Sequence, residues 1–398
     1  MGILTGLKIL DFSTLLPGPF ATMMLADMGA DVIKVESPYR EDLTKHLPPL
    51  DGEVSAAFGY LNRSKRSLAL DLKQEEAKDV IYQLVQEYDI VIEQFRPGAM
   101  DRLGIGYEKL KEINPKIIYC SITGYGQTGP YQNRGGHDIN YLSIAGVASY
   151  SSRKNQAPIP AGTQVADIAG GSMPAVIGIL AAAYHREQTG EGQYIDVSIT
   201  DVTFSLNALY GSGYLVGGVD PKPESMLLNG GTFYDYYETK DQRYFSVGSL
   251  EPQFQARLCE LVGDGQLVKL SSSQRIEDQR IFKEKLIDIF KQKTFDEWLQ
   301  ILGNDFDGCV EPVLNFSETI DHPQIKAREL LVSVPKLQGG TQEQMAFPIK
   351  FSTQPAQYRF IGVQTGKHSE NILKEAGFDQ KRIEALSDKG IFGKQVKS

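Results

Sequence analysis

The stretch GLKILDFSTLLPGPFATMMLADMGADVIKVE, residues 6–36, decides the fold class of this chain. An apolar run, Leu7–Phe12, ends in turn-forming residues, and the next segment has helical spacing up to Gly29. The run DVIKVE then reads as a second strand. A strand, a helix and a strand in this order favour a parallel sheet with a right-handed crossover. The turn lacks the pattern G-x-G-x-x-G, so Glu36 after it does not indicate a dinucleotide site.

The same alternation continues to about residue 130. SLALDL and DIVIEQF read as strands around the amphipathic helix QEEAKDVIYQLVQEY, and a helix at 107–112 precedes the strand and glycine-rich loop KIIYCSITGYG. The pattern predicts an α/β fold with a large open parallel, Rossmann-like sheet. Ligands bind such sheets beyond the carboxyl ends of the strands, so the loops after Phe95 and Ile122 are the candidate positions.

The rest of the chain predicts a second, smaller domain. Residues 131–172 are rich in Gly, Asn, Ser and Pro but carry apolar side chains, which favours an ordered functional loop. A helix that ends at Gly190, a strand QYIDVSITD and a helix over 202–214 follow. TFYDYYETKDQRYFSVGS has the alternation of a hairpin, and amphipathic helices follow it. We therefore expect a large domain over 1–215, a linker at 216–227, a small α+β domain over 228–325, and a segment over 326–398 that returns to the large domain.

Composition excludes several classes of protein. With 41 Lys and Arg against 50 Asp and Glu, the net charge of −9 argues against a nucleic-acid partner. The three cysteines form no C-x-x-C pair, which argues against a disulfide framework or a zinc ribbon and favours a reducing, cytoplasmic location. No signal peptide is evident, and the longest apolar stretch, about 174–184, is too short to span a membrane. We therefore predict no membrane partner.

Three residues are candidates for acid–base chemistry, and each also has an ordinary structural explanation. His137 lies in GGHDINY within the glycine-rich loop, where a histidine moves protons near neutral pH or simply forms loop hydrogen bonds. Asp167 precedes an apolar helix, either as its N-cap or as a base or nucleophile beside Gly170 and Gly171. Glu251 precedes a proline at a helix start, where a carboxylate also stabilises the helix dipole.

Two basic clusters at predicted strand ends are candidates for binding an anionic ligand. Their members are Arg63, Lys65, Arg66 and Lys73 in NRSKRSLALDLK, and Arg96 and Arg102 in FRPGAMDRLG. Arginine binds phosphate through two hydrogen bonds and lysine as a point charge, although such runs are more often solvated surface. The chain has no H-E-x-x-H, no Cys/His pair at ligand spacing, no G-x-S-x-G and no Walker A sequence, so we predict no metal site.

Taken together, these motifs resemble the family III CoA-transferase superfamily, and in particular its α-methylacyl-CoA racemase branch. FRPG with RLG (residues 95–104) and ITGYGQTGP (122–130) are typical of the superfamily. GHDINY (136–141) and LEPQF (250–254) are the more specific, racemase-type features. The resemblance covers most of the first 255 residues. It implies an acyl-CoA thioester substrate, an interlocked homodimer, and no cofactor apart from the coenzyme A of the substrate.

The resemblance also implies roles for individual residues. By the matching motifs, His137 and Asp167 are the two catalytic bases, Glu251 is a carboxylate near the histidine that the partner subunit donates, and Arg102 is an active-site arginine. The implied CoA contacts are Leu70, Asp71, Leu72, Lys73, Gln94, Phe95, Arg96, Arg102, Gly136, His137, Asp138, Ile139, Asn140 and Tyr141. Racemases commonly carry a basic residue where this chain has Ser37, and Arg40 is the nearby residue that can replace its charge.

Three functions stay open from the sequence. A 2-methylacyl-CoA racemase would remove the α-proton of the thioester on one face and return a proton on the other, so two acid–base groups suffice. A CoA-transferase would use Asp167 as a nucleophile on the thioester carbonyl and would need no histidine. A non-catalytic acyl-CoA-binding protein would retain the basic residues and lose His137 or Asp167, and this chain has both. His137 therefore favours the racemase.

Overall fold

The structure is a computed structural model that describes residues 2–303 and 305–393. These residues form two compact units. Unit 1 contains the chain up to residue 145, residues 161–206, and the chain from residue 325; unit 2 contains 146–160 and 207–324. The predicted large domain, 1–215, thus includes two stretches that cluster with unit 2, and the predicted linker 216–227 lies inside unit 2. The physical reason is a set of side-chain bonds. Arg153 pairs with Glu224 and Asp235, and Asn229 donates to the carbonyl oxygens of Tyr150 and Lys222.

Unit 1 is built on a six-stranded sheet with the order β5-β2-β1-β6-β7-β8, in which every neighbouring pair is parallel. Its strands are β1 Lys8–Asp11, β2 Asp31–Glu36, β5 Arg66–Ala69, β6 Ile90–Glu93, β7 Ile118–Thr123 and β8 Tyr194–Ser198. The central strands are buried along nearly their whole length, as parallel strands require. The predicted α/β fold with a parallel sheet is confirmed.

Unit 1 also contains two antiparallel hairpins, β3 Leu50–Asp51 with β4 Val54–Ser55, and β12 Leu331–Pro335 with β13 Thr341–Met345. Its helices are α1 Pro17–Asp27, α2 Ala56–Leu61, α3 Glu75–Leu84, α4 Ala99–Arg102, α5 Tyr107–Ile113, α6 Asp138–Ile144, α7 Met173–Thr189, α8 Ile199–Ser205, α16 Ser369–Glu375 and α17 Gln380–Asp388. Helix α3 shows how the pattern works, because its buried residues Ala77, Val80, Ile81 and Leu84 recur at helical spacing.

Helix α7 continues from a π-helical turn over Ala166–Ser172, so the helical run is 24 residues long. By length and composition alone this run is able to cross a membrane, and half of its most apolar window is buried inside the protein. The run packs against β7, β8 and α1, and Arg186 near its end pairs with Asp89 at 2.9 Å. These contacts are those of a core helix of the sheet.

The predicted helix over 202–214 is wrong. The structure has α8 at Ile199–Ser205 and a separate α9 at Tyr210–Gly217. Helix α8 begins directly after β8, because the Ser198 hydroxyl accepts the Asp201 N–H and caps it. The break falls in a segment that contains Ser205, Asn207 and Gly211, residues of low helix propensity.

Unit 2 contains the predicted hairpin, β9 Asp235–Glu238 with β10 Tyr244–Val247, and β11 Val310–Pro312 as a third antiparallel strand. Its main helices are α9, α10 Pro252–Leu261, α11 Val268–Ser271, α12 Ile276–Phe290 and α13 Phe295–Leu302; α14 Phe316–Asp321 and α15 Pro323–Ala327 follow along the chain. Aromatic contacts fill its core: the Phe290 ring lies 4.8 Å from Trp298 and 5.3 Å from Tyr237.

Candidate active site

A cavity of about 240 Å³ lies in unit 1, where β1, β6 and β7 end. Its walls include Leu15–Pro17 after β1, Gln94–Pro97 after β6, and Ile122–Gly124 at the end of β7. The glycine-rich loop and the π-turn complete it with Gly136, His137, Tyr141 and Asp167. The cavity therefore occupies the predicted position, beyond the carboxyl ends of parallel strands.

His137 is the exposed residue that directly precedes α6, and it lines the cavity. Its backbone N–H donates to Oδ1 of Asn140 at 3.0 Å, which closes the first turn of the helix. The Tyr141 hydroxyl donates to the Gly136 carbonyl oxygen at 2.6 Å and holds the loop from the other side. Histidine is thus presented to the cavity on a fixed backbone.

Asp167 lies in the π-turn and lines the same cavity. Burial and the negative charge of Asp138 raise the pKa of its carboxyl to about 6, while His137 opposes the rise. A carboxyl with this pKa exchanges protons near neutral pH. The sequence therefore predicted the residue, whereas its pKa depends on the π-turn and on the residues packed around it.

The N-cap interpretation of Asp167 is wrong, because Asp167 lies inside the π-turn, which Val165 precedes, and α7 begins only after Ser172. The backbone N–H of Asp167 is not available to a ligand either, since it donates to Oδ1 of Asp138 at 3.0 Å. Gly170 is required at this turn, because a Cβ there would lie 2.6 Å from the Thr203 hydroxyl.

The loop after β1 was not predicted as part of the site. Leu15 adopts a left-handed backbone with φ of 63°, and its N–H donates to Oδ2 of Asp42 at 3.1 Å. Ser13, two residues earlier, is held by Lys34, whose ammonium donates to the Ser13 carbonyl oxygen at 2.7 Å and lies 3.6 Å from Asp42. A buried charge network thus shapes this wall of the cavity. Its members are scattered along the sequence, so no local motif signals it.

The same network corrects the role expected for Lys65. This side chain is 2% exposed, and its ammonium contacts Asp11 at 3.2 Å and the Pro19 carbonyl oxygen at 2.9 Å. Burial lowers the pKa of Lys65 to about 8, although the charge of Asp11 opposes this. Lys65 therefore stabilises the fold and cannot reach a soluble ligand.

The two neighbouring arginines are also engaged within the protein. Arg63 is fully buried, forms two bonds to Asp27, and lies 4.9 Å from the rings of both Tyr60 and Tyr358. Arg66 pairs with Asp31 at 2.8 Å and also with a glutamate of α16. Neither guanidinium is available for phosphate without the loss of these partners.

Several implied CoA contacts lie away from the cavity. Leu70 is buried in the core, and Leu72 packs against that core. Asp71 accepts a bond from Gln74 at 3.0 Å, and its N–H donates to the Ile391 carbonyl oxygen. Exposed side chains without a place in the cavity wall are those of Arg40, Lys73, Arg102, Ile139 and Asn140.

Glu251 lies in unit 2 and directly precedes α10, with Pro252 as the first helical residue, as expected. Its side chain makes no capping hydrogen bond to that helix. Its implied position near His137 stays a prediction.

Arg134 is a cavity residue that the sequence reading missed. Its guanidinium lies 3.6 Å from the Tyr131 ring and lines the cavity with Arg96. No carboxylate of the described residues forms an ion pair with either arginine, so two positive charges are available to an anionic ligand. The signal for Arg134 was its place three residues before His137.

Comparison with known proteins identifies the family. Residues 4–369 match the family model described as CoA-transferase family III. The chain belongs to this family. Among solved structures, a CAIB/BAIF family protein from Brucella suis superimposes with a TM-score of 0.82 at 31% identity, covering 94% of this chain and 100% of that one.

Relatives with two kinds of activity are about equally similar to this member of CoA-transferase family III. The human protein named alpha-methylacyl-CoA racemase is 35% identical, over 99% of this chain and 99% of its own length. A succinate–glutarate CoA-transferase from Agrobacterium fabrum is 33% identical, over 94% and 95%. A protein named acyl-CoA transferase from Fusarium pseudograminearum is 34% identical, over 98% and 88%. Overall identity therefore does not separate a racemase from a transferase.

Proposed function

We propose that this protein is a 2-methylacyl-CoA racemase that interconverts the R and S thioesters. The observation that carries the proposal is that His137 and Asp167 line one cavity at the carboxyl ends of the strands. A transferase that works through an aspartyl intermediate needs the carboxylate alone. A racemase needs two acid–base groups on one substrate, and this cavity offers both.

The proposed reaction begins when one of the two groups removes the α-proton of the thioester. The resulting enolate is planar at the α-carbon, so a proton that the other group delivers to the opposite face inverts the centre. With a pKa of about 6, Asp167 is mostly ionised at pH 7 and serves as the base for one enantiomer. For the other enantiomer the roles exchange, with His137 as the base and Asp167 as the acid.

Binding of the substrate falls to the positive side chains of the cavity. Arg96 and Arg134 line it without carboxylate partners among the described residues, which suits the phosphates of coenzyme A or the negative charge on the thioester oxygen. The Asp167 N–H already donates to Asp138, so the hydrogen bonds to the enolate oxygen must come from other groups. The mechanism needs no separate cofactor, because coenzyme A is part of the substrate.

A CoA-transferase is the second candidate, and two observations favour it. Asp167 is mostly carboxylate at neutral pH, as a nucleophile must be, and transferases are as similar to this chain as racemases are. Attack on the thioester carbonyl would form a mixed anhydride and release CoA thiolate. The thiolate would then attack the aspartyl carbonyl of the anhydride, which gives an aspartyl-CoA thioester and releases the donor acid as its carboxylate.

Incubation with a 2-methylacyl-CoA in D₂O separates these functions. The racemase is expected to incorporate deuterium at the α-carbon without any acceptor acid, as read by mass spectrometry, and to interconvert the two enantiomers. CoA exchange that appears only after a carboxylate acceptor is added would replace the racemase by the transferase. If neither product forms, the protein is an acyl-CoA-binding protein. Unchanged α-exchange of both enantiomers in His137→Ala would remove that residue from the mechanism.

We further propose a homodimer in which Glu251 of one subunit acts beside His137 of the other. Large apolar side chains on α9 of unit 2 are exposed in the single chain, including Leu215 and Val216, as expected for a surface that a second copy covers. Sedimentation should give a dimer, and a monomer at micromolar concentration would contradict it. Coexpressed His137→Ala and Glu251→Ala chains should regain activity in mixed dimers, because one site of each then stays intact.

A further inference from the structure

Glu93 is a buried carboxyl that the proposed mechanism does not use. It is the last residue of β6, is 5% exposed, and forms no ion pair with any described side chain. Its Oε2 accepts the backbone N–H of Phe95 at 2.7 Å. A buried acidic group without a cation is costly, so its presence calls for a function.

Glu93 is linked to the next two strands as well. Ser121 on β7 forms a side-chain hydrogen bond to it, and the Tyr194 hydroxyl on β8 donates to Oγ of Ser121 at 2.9 Å. The carboxyl is therefore fixed across the sheet. A fixed acceptor beneath the Phe95 N–H defines the direction in which the chain leaves β6.

The residues that follow Glu93 form a wall of the acid–base cavity. Gln94, Phe95 and Arg96 all line it, and Oε1 of Gln94 accepts the N–H of Gly18 at 2.9 Å, which joins this wall to the start of α1. A small rotation of the turn would move both the Arg96 guanidinium and the Gln94 amide.

Given the proposed function, on which this inference rests, we propose that Glu93 is a positioning residue: by holding the Phe95 N–H, it fixes the turn that presents Gln94, Phe95 and Arg96 to the thioester. The bond is strongest when the carboxyl is ionised, because charge-assisted hydrogen bonds are roughly twice as strong as neutral ones. Substrate affinity then depends on the protonation of a group that does not touch the substrate.

The surroundings place that protonation near neutral pH. Burial, together with the carboxylates of Asp101 and Asp196, raises the pKa of Glu93 to about 7, while the bonds from Ser121 and Phe95 oppose the rise. Other ionisable groups surround this carboxyl. Tyr119, Cys120 and Tyr194 interact with it through charge, and Arg96, Tyr107 and Glu108 line a second cavity that Glu93 also lines. The carboxyl gains a proton as the pH falls from 8 to 6, so KM should rise over this interval.

Two substitutions test the inference. Glu93→Leu removes the acceptor, and we expect KM for the 2-methylacyl-CoA to rise about tenfold at pH 8 while kcat changes less than threefold. Glu93→Gln keeps a neutral acceptor, so its KM should stay flat between pH 6 and 8 at the value that the wild type reaches at pH 6. Asp101→Asn removes a neighbouring negative charge and should move the wild-type KM change to lower pH.

A measurement independent of activity keeps the two proposals separate. Amide hydrogen exchange, read on the peptide over residues 94–98, should be faster in Glu93→Leu than in Glu93→Gln or the wild type. If the wild type shows no α-exchange, the racemase proposal fails. The comparison of amide exchange still tests whether Glu93 stabilises the turn. Equal amide exchange and equal KM in all three proteins would overturn the inference, and so would a loss of kcat in Glu93→Gln.

Discussion

Two regions of unit 1 bury carboxyl groups near the same cavity and shift the pKa of these groups in opposite directions. In the network behind the β1 loop, Asp11 is fully buried, and burial acts to raise its pKa. The pKa is nevertheless lowered, because the charges of Lys65 and Lys34, with hydrogen bonds from Ser13 and Thr22, together outweigh burial. In the cavity wall, Asp167 has no cation partner as strong, and burial with Asp138 raises its pKa to about 6. The presence of a buried lysine therefore distinguishes a carboxylate that supports the fold from one that exchanges protons.

The largest expected effect is on the rate. Asp167→Asn removes one of the two acid–base groups, so α-deuterium exchange should fall at least about 10³-fold for the enantiomer on which Asp167 is the base, and interconversion of the two enantiomers should fall as much. The rate is measured by mass spectrometry in D₂O with the wild type as reference. A variant that keeps a tenth of the wild-type rate would show that the unpaired carboxyl is not part of the chemistry.

Removal of a charge from the paired region should instead destabilise the protein. Lys65→Met leaves Asp11 buried without its nearest cation, which we expect to lower the free energy of unfolding by about 3–5 kcal/mol in urea titrations. Lys8→Met is the matched control, since Lys8 pairs with Glu87 on the surface, and it should change stability by less than about 1 kcal/mol. Similar losses in both variants would remove the distinction between the two kinds of pair.

Replacement of Asp138 should lower the pKa of Asp167 and so make this carboxyl more like the lysine-paired Asp11. Asp138→Asn removes the negative charge that raises the pKa of Asp167, so the carboxyl should stay ionised at lower pH. For the enantiomer on which Asp167 is the base, kcat should fall below pH 6 in the wild type, and in the variant this fall should begin at lower pH. The pH profile of exchange checks it, and a fall at unchanged pH would contradict the electrostatic explanation.

The smallest expected effect is on thermal stability, where Asp167→Asn and Asp11→Asn should shift Tm in opposite directions. The folded pKa of Asp167 lies above its ordinary value of 3.8, so its ionisation costs stability above pH 6, and this cost disappears below pH 3.8. Asp167→Asn should therefore raise Tm at pH 8 by on the order of 1 °C. The pKa of Asp11 is lowered, so Asp11→Asn should lower Tm at that pH. Scanning calorimetry at pH 8 gives both values, and a shift of the same sign would contradict the comparison.

The sequence predicted the strands of unit 1 well, because their apolar runs and the turns between them are local signals. It predicted His137 and Asp167 through motifs, and the cavity contains both. It misread Lys65 as a ligand contact, since buried lysines are rare and its partner Asp11 lies 54 residues away. The order of the strands in the sheet and the position of Leu15 at the cavity depend on contacts between residues that are far apart in the sequence. A local pattern carries no information about them.

The buried Arg63 also shows that the interior of unit 1 cannot be completed early in synthesis. Its guanidinium donates at 2.7 Å to the carbonyl oxygen of Met345, a residue 282 positions later. A ribosome that adds about 5–20 residues per second needs roughly 15–55 s to produce that partner. The residues of unit 2, which end at 324, all emerge before Met345. During that interval the nascent amino-terminal half of unit 1 therefore lacks a hydrogen-bond acceptor that its buried arginine requires.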